Sequence, residues 1–145
     1  MTEEPRPITR PIILIVDDER IVRRATMRAL EASLEGVTIQ AAESAQAGLD
    51  FLIHFFVLDP HGRVFILSDN NMLEMAKPDD AVKSGEELLR EARRRFGNDV
   101  FTHIVSGHDL PDAPYIDARL MKPFSGTQIV EAFHRFEKGM EQSHP

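Results

Sequence analysis

VFILSDNNM, Val64 to Met72, joins two features that rarely sit together. Its first half, Val64 to Leu67, is a short unbroken apolar run of the kind that forms a strand buried on both faces, as in a parallel sheet. Its second half puts a carboxylate, Asp69, at the tip of that strand and follows it with Asn70 and Asn71. The asparagines suit a turn, but they do not explain the carboxylate.

On either side of this stretch, short apolar runs alternate with amphipathic helical patterns. Ile12 to Val16 reads as a first strand. Ile21, Ala25 and Ala29, with Leu30 and Leu34 beside them, then recur at helical spacing as far as Gly36. Val37, Ile39 and Ala41 alternate as a second strand does. A second helix carries Ala45, Leu49, Leu52 and Phe56 on one face and gives way to the turn Asp59-Pro60-His61-Gly62. Ser84 and Glu87 form a capping box ahead of Leu88, Ala92 and Phe96, and Gly97-Asn98-Asp99 ends that third helix. Val100 to Val105 is a fourth strand. Arg119 to Met121 is a short fifth, ended by Pro123, and Ser125 with Gln128 caps a last helix bearing Ile129, Phe133 and Phe136. Strands that alternate with helices of this length build a parallel sheet covered on both faces, because parallel neighbours need helical crossovers. The fold class is α/β, doubly wound. One domain is expected over residues 11–137, with an N-terminal extension at 1–10 and a frayed tail, KGMEQSHP, at 138–145.

Composition narrows the function. A chain of 145 residues makes one ordinary domain, which hides about 68 to 70% of its unfolded surface. Apolar residues at 42% and charged residues at 28% give a globular balance, and no apolar run is long enough to span a bilayer. The opening residues lack the apolar block of a secretory signal, and there is no cysteine for a disulfide or a thiolate metal site. A cytoplasmic location is expected on these grounds. A net charge of −7 argues against direct nucleic-acid binding by this domain.

In open parallel sheets, ligands bind beyond the carboxyl ends of the strands. Strand one ends in Asp17-Asp18-Glu19, strand three in Asp69, strand four in Ser106-Gly107 and strand five in Lys122-Pro123. Each has a plain reading on its own. Asp17 or Asp18 can cap the first helix, Ser106 can satisfy its own turn, and Lys122 can be a solvated lysine. Together they fall on one edge of one sheet. Carboxylates that converge there repel one another unless they share protons or bind a cation, and an all-oxygen donor set suits Mg²⁺ rather than zinc. Mg²⁺ commonly joins one or two carboxylates to a phosphate oxygen, with a lysine and a hydroxyl beside it to hold the anion. Phosphoryl transfer with Asp69 as nucleophile is the inferred chemistry.

LIVDDE, FILSDNNM, IVSG and LMKPF, in this order, resemble the CheY-like receiver domain of two-component response regulators, and the resemblance runs from about Pro11 to Glu137. It implies a flavodoxin-like five-stranded parallel sheet in the order 2-1-3-4-5. It also implies that Asp69 accepts a phosphoryl group from a phosphohistidine on a histidine kinase or phosphotransferase. Mg²⁺ would be held by Asp18, Asp69 and the backbone carbonyl of Asn71, with Asp17 acting through a water. Lys122 would pair with a phosphoryl oxygen, and Ser106 would turn toward the phosphorylated side chain as the switching step. Asn71 and His108, each two residues beyond a site residue, would tune the lifetime of the phosphoryl group. Such a protein acts only on itself, not as a turnover enzyme. It controls an unspecified protein partner, and homodimerisation is compatible with it.

Three departures stand out. The helix-starting Ser84-Gly85 lies fifteen and sixteen residues beyond Asp69, so EMAKPDDAVK, residues 74–83, is an insertion that either covers the site, docks a partner or is a tolerated surface loop. Only the twelve residues Gly107 to Ala118, with Pro111 and Pro114 among them, separate strands four and five, so the fourth helix of the family is shortened or missing. Three residues before Lys122, where the family has a switching aromatic, stands Arg119. Elsewhere, His103 reads as a packed neutral core histidine, and Arg93-Arg94-Arg95 as a solvated face that complements the helix dipole. Two alternatives remain open. One is a receiver-like interaction module that works without phosphorylation; the other is a small Mg²⁺-dependent phosphatase of the haloacid-dehalogenase type, although that type has a second carboxylate where this chain has Asn71.

Overall fold

Five parallel strands hydrogen-bond in the order β2-β1-β3-β4-β5, with β3 at the centre. The computed structural model describes residues 11–122 and 124–142. The strands are β1 (Ile12–Val16), β2 (Ile39–Ala42), β3 (Val64–Asp69), β4 (Val100–Ser106) and β5 (Ala118–Met121). The helices are α1 (Arg20–Ser33), α2 (Ala45–Leu58), α3 (Gly85–Phe96) and α4 (Gly126–Gln142). Every residue of β3 is buried, as expected of a strand with helices on both faces. Its side chains alternate between two cores. Val64 and Ile66 join Leu14, Val16, Leu49, Leu88 and Ile104 under α2 and α3. Phe65 and Leu67 join Ile13, Ile15, Leu30, Ile129 and Phe133 under α1 and α4. Burying each such side chain contributes roughly 1.5–3 kcal/mol, so β3 is the last strand that can slip in register.

The caps at Ser84 and Ser125 both form, but only the second closes as a reciprocal box; the Glu87 carboxylate accepts from the Ser84 hydroxyl at 3.4 Å rather than from the Ser84 N–H. The Ser84 hydroxyl accepts the Glu87 N–H at 3.1 Å, and Gly97 leaves α3 with φ +57°. Ser125 and Gln128 make the full reciprocal box, Ser125 N–H to Gln128 Oε1 at 2.9 Å and Gln128 N–H to Ser125 Oγ at 3.3 Å. Ser44, an N-cap that the periodicity did not single out, accepts the Ala47 N–H at 3.1 Å.

Among the described residues no helix lies between β4 and β5, in line with the shortened or missing helix expected there. The residues from Gly107 to Asp117 form a strap instead. The Thr102 hydroxyl donates to the Tyr115 carbonyl at 2.7 Å, and the Asp117 carboxylate accepts the Thr102 N–H at 2.8 Å and pairs with Arg93. Arg90 lies over the Tyr115 ring, 5.0 Å from its centre. Leu110, Tyr115 and Ile116 pack on the α2–α3 core in place of a helix.

Several readings need correction. In α1 the buried residues are Thr26 and Leu30; Ile21 is 84% exposed and Ala25 is exposed too, so of the expected face only Ala29, half-buried near Gly126, and the buried Leu30 and Leu34 turn inward. In β2 it is Ala42, not Ala41, that is buried. Arg93 is not solvated: it binds Asp117, the Gly97 carbonyl at 2.9 Å and Thr102. Arg94 and Arg95 are on the surface, where their hydrogen bonds hold the Glu91 carboxyl down at about 2. Residues 138–142 of the expected tail are helical. The insertion is pinned to α2, because Gln46 Oε1 accepts the N–H groups of Ala81 at 2.7 Å and Val82 at 3.2 Å, and Val82 is buried. The extension at 1–10, Pro123 as the end of β5, and residues 143–145 lie outside the described residues. No helix among the described residues is long and apolar enough to cross a membrane.

Candidate functional site

Sheet register brings the predicted residues together. Val16 is level with Ser68, so Asp17, one residue beyond β1, stands beside Asp69 at the end of β3. Backbone bonds fix the tips: Asp17 N–H to the Ala42 carbonyl at 3.1 Å, Asn70 N–H to Val105 at 2.9 Å and Lys122 N–H to Ser106 at 2.8 Å. One carboxylate oxygen from each of Asp17, Asp18 and Asp69 falls within 4.8 Å of the others. Asp17 and Asp69 are each only 6% exposed. Lys122 Nζ donates to Asp69 Oδ1 at 2.9 Å.

The electrostatics follow from this crowding. Burial pushes the Asp17 carboxyl up to about 6, with Asp69 and Asp18 adding to it, while the hydrogen bond from the Glu19 N–H and the Lys122 charge work the other way. At Lys122 burial opposes the ammonium, but its hydrogen bond to Asp69 and the charges of Asp69, Asp17 and Glu19 prevail and hold the group above the ordinary lysine value. One lysine thus leaves the carboxylates under-compensated. The donor set is oxygen only and partly buried, so the residues fit a hard divalent cation such as Mg²⁺. Neither Asp17 nor Asp18 caps α1, whose N-cap is Glu19 without a side-chain cap bond; Asp17 instead accepts the Glu19 N–H at 2.9 Å in the turn before the helix.

A cleft of about 530 Å³ opens over Asp69 and Lys122, with Asn71, Ser106 and His108 in its walls and Glu19 and Glu86 among its lining. Ser106 is 6% exposed, and its Oγ accepts the His108 N–H at 3.1 Å. Arg119 stands apart from this group. Its guanidinium reaches the Leu110 carbonyl and the Asp112 carboxylate in the strap. His103 is 2% exposed among Phe65 and Phe101, neither ring nitrogen has a partner, and burial, with a smaller push from Arg135, brings it down to about 4. It is the packed neutral histidine that the sequence suggests.

Gly85 was read only as part of a helix start. A Cβ on Gly85 would collide with the Asp69 carbonyl oxygen, and its N–H donates to the Asn70 carbonyl at 3.1 Å. The start of α3 therefore seats directly on the backbone at the end of β3, where only glycine fits. A glycine just after an N-cap serine was the available signal.

No family model matches the sequence, and no curated protein does. Solved structures do match the fold. A response regulator receiver domain protein from Clostridium thermocellum aligns at TM-score 0.68 and 22% identity, over 91% of this chain and 98% of that one. The signal receiver domain of an HD domain-containing protein from Pseudomonas fluorescens Pf-5 aligns at 0.67 and 17%, over 99% and 100%. The chemotaxis response regulator CheY4 of Vibrio cholerae aligns at 0.61 and 17%, over 88% and 99%. The chain has the receiver-domain fold.

Proposed function

We propose that this chain is a receiver domain of a two-component system, which takes a phosphoryl group onto Asp69 from a phosphohistidine on a histidine kinase or phosphotransferase and thereby changes its affinity for a protein partner. The observation that carries the reading is the cluster of Asp17, Asp18 and Asp69 with Lys122 Nζ 2.9 Å from Asp69 Oδ1, at the carboxyl edge of the sheet. In the transfer, a carboxylate oxygen of Asp69 attacks phosphorus, the P–N bond to the donor imidazole breaks, and the bond's electron pair leaves with the imidazole. β3 holds the nucleophile in place and Gly85 seats its backbone, so little orientation is lost in reaching the reactive geometry. Lys122 supplies a fixed positive charge where the incoming oxygens gather negative charge. Asp17, Asp18, Asp69 and the Asn71 carbonyl are the groups that would hold Mg²⁺, which when bound offsets charge on the carboxylates and the phosphoryl oxygens. Ser106, whose hydroxyl now accepts from His108, would exchange that bond for one donated to the phosphorylated side chain. Asn71 and His108 line the cleft from which water reaches the acyl phosphate, a position from which either can set its lifetime.

The test is incubation with Mg²⁺ and acetyl phosphate, read by intact mass beside Asp69→Asn. The parent should gain one phosphoryl group and the variant none. If the parent gains none, and also accepts none from histidine kinases, the reading is wrong; steady turnover of phosphate esters would favour the phosphatase instead.

A further inference from the structure

The strap between β4 and β5 arches over the sheet and encloses a second cavity, of about 350 Å³, separate from the cleft over Asp69. Ser106 and His108 line both spaces, so the two adjoin across those residues. The second cavity exists because a proline-bearing loop spans ground that a helix would fill. Its size lies within the range of small-molecule sites, and it sits at the carboxyl edge of the sheet, where such folds bind ligands.

Its chemistry is specific. Leu110 and Ile116 from the strap provide aliphatic walls, on the face of the sheet that carries the buried Ile104. Three carboxylates line it, and two are already satisfied: Asp112 by Arg119, and Asp117 by Arg93 and the Thr102 N–H. The Arg119 guanidinium already has two partners, the Asp112 carboxylate and the Leu110 carbonyl, whereas Asp109 has none of opposite charge among the described residues. Asp109 makes no ion pair among the described residues, which leaves the unbalanced charge of the lining negative. From the aliphatic walls and this single unpaired carboxylate, we infer that the cavity under the strap is a binding site for a small organic cation, an amine with a compact apolar body. The ammonium would face Asp109 and the apolar part would lie against Leu110 and Ile116.

The test uses the ¹⁵N-labelled full chain titrated with benzylamine, with benzoate as the oppositely charged probe of the same shape. Saturable shifts confined to the amides of Ile104, Leu110, Ile116, Leu120 and their neighbours, with benzoate silent, are expected. Asp109→Asn should weaken benzylamine binding roughly two- to five-fold, the worth of an exposed ion pair. Ala113→Leu, which fills the cavity, should abolish the shifts; if that variant does not fold, Asp109→Asn alone decides. No saturable shift, equal shifts with benzoate, shifts centred on Asp69, or binding unchanged in Asp109→Asn would each overturn the assignment. Phosphorylation is no part of the readout, so the outcome is independent of the fate of the acceptor reading.

Discussion

Replacing Asp17 with asparagine should make the metal-free protein more stable at neutral pH. The folded carboxyl titrates at about 6 against 3.8 for the model carboxyl, so between those values the folded state holds a proton that the unfolded state has lost. The stability tied to that proton is complete below about pH 3.8 and is gone once the pH has risen through 6. A displacement of about two units corresponds to about 3 kcal/mol at pH 7.5. Asparagine has nearly the same shape, its side-chain oxygen still accepts the Glu19 N–H, and it carries no charge to bury. With chelator present, the variant should therefore exceed the parent by up to about 3 kcal/mol at pH 7.5, or roughly 6–12 °C in Tm for a chain of this size. The advantage should nearly vanish at pH 4. Urea unfolding of both proteins at the two pH values measures it, and the variant-minus-parent difference cancels titrations elsewhere. Equal stability at pH 7.5, or a difference independent of pH, would refute the electrostatic account. Adding Mg²⁺ should then narrow or reverse the gap, because the parent keeps a carboxylate that the variant lacks.

His103→Phe should remove an acid lability. The folded histidine titrates at about 4 against 6.5, so its contribution is intact above 6.5 and lost as the pH falls through 4; the parent should lose about 2 kcal/mol relative to the variant between pH 7 and pH 5, read by urea unfolding. Gly85→Ala should destabilise by about 1–3 kcal/mol and slow phosphoryl labelling of Asp69, whereas Gly139→Ala, with open space at its Cβ, should do neither; thermal melts and intact mass compare them. Asp117→Ala should cost about 2–3 kcal/mol by stranding Arg93 and the Thr102 N–H, while labelling of Asp69 persists, because the strap anchor is remote from the acceptor.

What could be read in advance was whatever local chemistry dictates. Strand β3 announced itself by an apolar run, the serine caps by Glu87 or Gln128 three residues later, and the edge cluster by carboxylates placed just after strands. What escaped depends on contacts between distant segments. Thr26 is buried and Ala25 exposed because the packing of α1 on the sheet, not the pattern within the helix, sets its rotation. Arg93 looked like one of three equivalent arginines until Asp117, far along the chain, came to rest beside it. The need for glycine at position 85 follows from the approach of the α3 start to the Asp69 carbonyl; the sequence shows the glycine after the N-cap serine but not the distant backbone that requires it. The missing helix could be read from length and two prolines, but not what stands in for it.

The strap also bears on how a change at Asp69 would travel. It is fastened at two ends of unequal strength. Residues 115–117 are held by the half-buried Thr102, Asp117 and Arg93 contacts, where water competes poorly. Residues 107–113 are held by the bond between the His108 N–H and Ser106 Oγ, and by Arg119, whose partner Asp112 has a side chain 91% exposed. Exposed ion pairs contribute little, about 1 kcal/mol or less. If Ser106 turns its hydroxyl toward a phosphorylated Asp69, the first of these ties breaks and the segment is left on the exposed Arg119 contacts and the partly buried Leu110. The half of the strap from Gly107 to Ala113 would then move while Tyr115 to Asp117 stays, with Pro114 between them. Arg119 contacts the loop from outside the site, through the Leu110 carbonyl and Asp112, so Arg119→Ala should loosen the same half without any phosphoryl group.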